Sequence, residues 1–155
     1  MKIRSRALFL ALFMLAAVTC FAANDAFMGT WKLNESKSKV PVGAPKNHTV
    51  VYEAAGDSTK VTIDGTAADS TPMHSEWIGK FDGKEYPSTG NPNEDMRSVK
   101  VINEHTYDVV SKKDGKVVLK AHVVVAPDGK SRTVTVHGTD SKGKKYTSVA
   151  LFDKQ

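Results

Sequence analysis

Past residue 26, apolar and polar positions alternate with the period of two that marks a strand, and no stretch keeps the 3.6-residue period of a helix. In residues 117–125, Leu119, Ala121, Val123 and Val125 fall on one side, while Lys120 and His122 fall on the other. In residues 131–137, Val134 and Val136 oppose Thr133, Thr135 and His137. In residues 73–81, Met73, Trp77 and Phe81 share a face against His74, Glu76 and Lys80. Strands are predicted at 27–33 (entered through a single helical turn), 49–54, 60–64, 73–81, 84–86, 96–102, 105–111, 116–125, 131–137 and 146–152. Between them stand Gly56-Asp57, Asp82-Gly83, Asp114-Gly115, Asp128-Gly129 and Lys142-Gly143, where glycine supplies the positive φ of a tight hairpin. The longest loop is expected over residues 87–95. About eight to ten strands, each turned back on the last, make a meander, and closing it on itself removes the exposed edges. The expected fold is therefore all-β, an up-and-down antiparallel β-barrel. A barrel of about eight strands is either filled by its side chains or leaves room for one small ligand, and the alternation is compatible with both.

The first 22 residues read differently. Lys2, Arg4 and Arg6 precede an apolar run from Ala7 to Val18, and Cys20-Phe21-Ala22 offers small residues at −3 and −1. A signal peptide cleaved after Ala22 is expected, leaving 23–155 as one domain, exported to the periplasm or secreted. The apolar run is shorter than the ~20 residues of a membrane span. The alternative is a lipid anchor on Cys20, whose surroundings loosely resemble a bacterial lipobox. Removal of the signal leaves 19 basic against 17 acidic residues, a balance of +2 in place of +5. The remaining Lys and Arg are scattered without a basic run, which argues against nucleic acid as a partner. The single cysteine departs with the signal or becomes the anchor, so the domain is held by its core alone.

The opening Asp25-Ala26-Phe27-Met28-Gly29-Thr30-Trp31-Lys32-Leu33-Asn34 resembles the N-terminus of fatty-acid-binding proteins, and its Gly29-x-Trp31 is similar to the first signature of lipocalins. The resemblance implies a lipocalin-like (calycin) barrel whose bottom is plugged by Trp31 beside Gly29. A cation from a late strand, Arg132 or Lys154, would lie over the indole. It also implies a small apolar or amphipathic ligand, bound without catalysis or cofactor. Met73, Trp77, Phe81, Tyr107, Tyr146 and Phe152 are the candidates for lining the cavity. The chain departs from fatty-acid-binding proteins in two places. Ala150 and Phe152 stand where that family grips a carboxylate with Arg and Tyr, and the stretch from Leu33 to His48 is too short for its paired-helix lid. An exported bacterial lipocalin-like protein is the better fit.

Other constellations are weaker. Gly-x-Ser-x-Gly and Gly-rich phosphate loops are absent from the sequence. His74 and Glu76 share a strand face and could act as base and acid, or be a solvated pair. His122 and His137 could hold zinc with Glu76 or Asp140, or be solvated histidines outside a barrel; the latter is expected, with no metal. Asn91, Asn93 and Asp95 space oxygen donors as calcium loops do, without the Gly and Glu that complete one. The competing function is a secreted protein-interaction or inhibitor module with a filled barrel, acting through the 87–95 loop or an edge strand.

Overall fold

The computed structural model describes residues 25–140 and 142–155. The expected signal peptide and Cys20 lie outside them. Ten strands follow in order: β1 (Gly29–Leu33), β2 (Lys46–Ala55), β3 (Ser58–Thr66), β4 (Pro72–Gly79), β5 (Asp82–Thr89), β6 (Met96–Asn103), β7 (Thr106–Lys113), β8 (Lys116–Val125), β9 (Ser131–Thr139) and β10 (Lys145–Lys154). Each pairs antiparallel with its sequence neighbour, and β1 closes the ring on β10 through Trp31↔Lys154 and Leu33↔Phe152. The architecture is thus a closed up-and-down antiparallel barrel. No helix among the described residues is long and apolar enough to cross a membrane.

The hairpins form where the turn residues allow them. Asp114 and Gly115 both take positive φ, 50° and 73°, and so supply the two left-handed residues of a tight turn whose twist matches its strands. Most of the strands predicted from alternation extend by one to three residues. Those expected at 27–33 and 73–81 are instead cut by two at one end, since β1 begins at Gly29 and β4 stops at Gly79, leaving Phe27 in the entry turn and Phe81 beyond β4. The change is largest in β5. Residues 87–89 were expected in the loop but belong to this strand, and the loop is shorter by that much. Pro87 is tolerated there for a reason of direction. The Ser88 amide donates to Asp95 on the β6 side, so the nitrogen of Pro87 faces β4. On that side the ladder covers only Glu76↔Thr89 and Trp77↔Ser88, and no donor is missed. Below those two pairs the seam is filled by side chains: the Tyr86 ring stands edge-on to Trp77, centroids 6.0 Å apart, over Gly79.

Between β1 and β2 lies a short strap with one 3-10 turn, Glu35–Lys37, capped by the Asn34 side chain. Lys39 exchanges two backbone hydrogen bonds with Val149, at 2.7 and 3.0 Å, so the strap takes the place of β1 beside the upper half of β10. The core lies inside the barrel, with Trp31, Trp77, Tyr107, Phe27 and Val125 its most deeply buried large side chains.

Candidate functional site

The two ends of the barrel are built differently, and the site lies between them. At the bottom the chain enters through a turn that carries Phe27 inward, where it is fully buried. Trp31 Nε1 donates to the Phe27 carbonyl at 2.9 Å, so the one polar atom of the indole is satisfied locally. Phe27 meets the edge of Tyr107 at 4.7 Å and lies 6.0 Å from Phe81. The Arg132 guanidinium stands 4.7 Å from the Trp31 ring, 4.9 Å from Phe152 and 5.0 Å from Tyr52, and the Lys154 amine lies 5.2 Å from Trp31. A desolvated cation over a π face is worth ~2 kcal/mol or more, so these residues form a floor held by several such contacts as well as by packing. Gly29 opens the first strand at φ +98°, beneath the Lys154 stem.

Above the floor is a chamber of about 120 Å³. Its walls are mostly aliphatic, with Val50 from β2, Ala121 and Val123 from β8, and Val134 and Val136 from β9. Alternation puts these side chains on the inner face, as Val123↔Val134 and Ala121↔Val136 pairs show. Its lower polar edge is a relay. Arg132 Nη1 donates to the Tyr107 hydroxyl at 3.1 Å, and that hydroxyl is 2.8 Å from the hydroxyl of Tyr52. Burial, then the neighbouring Tyr52, holds Tyr107 protonated well above the ordinary phenol range, the nearby Arg132 charge opposing them.

A second chamber of about 80 Å³ lies nearer the mouth and is more polar, with Met73, Ser75, Asn91, Asn93, Glu94 and Arg97 on its walls. Arg97 Nη2 donates to Glu94 Oε2 at 2.9 Å, while Nε stands 2.8 Å from Oε1 but is poorly aligned for a bond. The pair is almost wholly buried, so its two charges cancel inside the barrel. Ser75, on the same wall, has a buried hydroxyl without a hydrogen-bond partner among the described residues, as do Ser88 and Ser111 elsewhere in the barrel. Both chambers and a wider vestibule of about 660 Å³ share one wall residue, Tyr146. Its ring lies over Gly138, where a Cβ would come within 2.3 Å of it. Burial, helped by Asp140, raises the Tyr146 hydroxyl above its usual pKa.

Among the residues expected around a cavity, Tyr107, Tyr146 and Phe152 line the main chamber and Met73 lines the second. Trp77 and Phe81 instead pack with Tyr86 and Phe27 in the lower barrel, their centroids 6.1 Å apart. Tyr52, Arg97 and Glu94 were not anticipated. A signal for two of them exists: Val50 and Tyr52 alternate with Thr49, Val51 and Glu53, and Arg97 occupies an inward position in step with Val99.

The other constellations come apart. His74 and Glu76 stand on the outer face, with side chains 60% and 40% exposed, each bound to a β3 residue: His74 to Asp64 and Glu76 to Lys60, both at 2.6 Å. Neither lines the two chambers or the vestibule described above, and each is paired on the outer wall. His122 turns to Asp108 and His137 to Thr147. Among the described residues no three His, Cys, Asp or Glu side chains gather as a metal set. In the 90–95 loop the oxygen donors diverge: Asn91 accepts from the Asn93 amide, Glu94 holds Arg97, and Asp95 accepts from the Asp114 amide. Compared with models of known protein families and with characterised protein sequences, the chain matches none.

Proposed function

We propose that this is an exported, non-catalytic binding protein of lipocalin-like type, which holds a small apolar or amphipathic molecule inside its barrel. The observation that carries the reading is the chamber of about 120 Å³ above the Trp31–Arg132 floor, with aliphatic walls and a few convergent polar groups. Ligand sites have that composition. They usually measure roughly 300–1,000 Å³, so the ligand is small, or it displaces Tyr146 and extends into the second chamber and the vestibule. Export rests on the signal-like residues 1–22, and the lipocalin-like type on the Phe27-x-Gly29-x-Trp31 opening.

Native mass spectrometry of the protein from its own host tests the reading. The expected result is a small molecule that co-purifies and is lost on denaturation, on a chain beginning at Ala23. A bare mass, joined to failure to take up any apolar probe, would contradict it and direct the search to a protein partner.

A further inference from the structure

The floor of the chamber holds a cation that no anion answers. Arg132 is 3% exposed, and its hydrogen-bond partner is a neutral hydroxyl. Three charged residues line the chamber, all of them basic: Lys46, Arg97 and Arg132. Lys46 faces Glu35 at the rim, 3.7 Å away, and Arg97 is tied to Glu94. Arg132 has no carboxylate within reach among the described residues, and residues 1–24 and 141 contain no Asp or Glu that could supply one. Its Nε has no hydrogen-bond partner among the described residues either. Aromatic rings offset only part of the hydration that a buried guanidinium gives up.

Counting protons on the floor gives a second, independent observation. Two tyrosine hydroxyls carry two protons. Tyr107 accepts from Arg132 and shares one proton with Tyr52 across 2.8 Å, and neither hydroxyl has a further protein acceptor among the described residues. One O–H is therefore left over, and both tyrosines line the chamber. The relay from the guanidinium polarises that last O–H and makes it a better donor. The floor is thus rich in donors, positive, and without a carboxylate of its own, beneath walls that are aliphatic.

We infer that Arg132 and the uncommitted tyrosine hydroxyl receive the carboxylate of a small ligand, whose apolar tail lies upward between Val50, Val123 and Val134 toward Tyr146. This rests on the chamber being a ligand site, and makes the ligand a small monocarboxylic acid rather than any apolar molecule. Arg132 then has two duties: its π contacts hold the floor together, and its charge selects what the chamber takes. Arg97 does not compete, because Glu94 already neutralises it.

The test is an NMR titration of the protein with hexanoate and with hexanamide, which has the same tail and no charge, at neutral pH and fixed salt. The expected result is that hexanoate binds about tenfold tighter or more, as a charge-assisted hydrogen bond requires. Hexanoate should also shift the Nε–Hε resonance of Arg132 more than that of Arg97. Arg132→Met should abolish the preference, with the larger loss falling on hexanoate; if that variant does not fold, the comparison on the native protein decides alone. Equal affinities, or a response at Arg97 with Arg132 unmoved, would overturn the carboxylate assignment and leave the ligand chamber standing. If neither compound shifts the methyl groups of Val50 and Val134, the chamber is not a ligand site, and the proposed function fails with it.

Discussion

The closed and open ends of this barrel are made from the same ten strands but from opposite kinds of residue. The floor is assembled from large rigid groups drawn from distant parts of the chain: Phe27 and Trp31 from the entry turn and β1, Tyr107 from β7, Arg132 from β9 and Phe152 from β10. The mouth is bordered by Pro41 and Gly43 before β2, Ala67 and Ala68 after β3, Pro92 and Asn93 after β5, and Asp140 and Lys144 after β9. Val42, in the loop before β2, is fully exposed there. The difference teaches where stability and access reside. Dense aromatic packing fixes one end, and small or turn-forming residues leave the other open to a vestibule.

The largest effect should come from the floor. Trp31→Ala removes the indole that bridges Phe27 and Arg132, and the expected loss is about 3–5 kcal/mol, measured by urea unfolding. A loss below about 1 kcal/mol would show that the floor is not the anchor. A comparable effect at the mouth requires a backbone clash rather than lost packing. Gly90 follows β5 at φ +84°, and a Cβ there would lie 2.2 Å from the His74 carbonyl oxygen. Gly90→Ala should therefore cost about 1–3 kcal/mol, as strained backbone does, with the chamber intact.

Alkaline pH sharpens the contrast further. The folded-state pKa of Tyr107 is raised by burial, so its contribution is whole below the unfolded pKa of about 10 and is lost as pH rises beyond it. Above that pH, unfolding free energy should fall by about 1.4 kcal/mol per pH unit for each such tyrosine. The slope should be shallower in Tyr107→Phe than in the native protein. An unchanged slope would place the alkaline sensitivity elsewhere, with Tyr146 at the mouth the next candidate.

Much of this architecture can be read in the sequence, because strand order is a matter of local turns. Asp114-Gly115 and Asp128-Gly129 each direct the chain back on itself, and clean alternation in residues 116–125 marks β8 from end to end. The upper part of β5 was not legible, since Pro87 usually denies a strand, and its place beside the short β4 ladder depends on pairing that no local pattern encodes. The floor was legible in part. The Gly29-x-Trp31 opening points to a plug, and both Arg132 and Lys154 stand over that ring. What the alternation could not convey is the meeting of Tyr52 with Tyr107, 55 positions away and across the barrel. The Glu94–Arg97 pair was hidden similarly, because an acidic residue in a polar loop reads as solvated until the loop folds over the mouth. Whether the barrel is hollow depends on how side-chain volumes sum across ten strands, which periodicity does not measure.

Xenon-pressurised crystals test the hollow barrel most directly, because an apolar cavity of about 150 Å³ binds that gas. The account predicts a xenon site inside the barrel, between Val50, Val123 and Val134 and above Arg132, with the floor unchanged. An interior without xenon, and with side chains filling that space, would contradict the hollow barrel on which the proposed function rests.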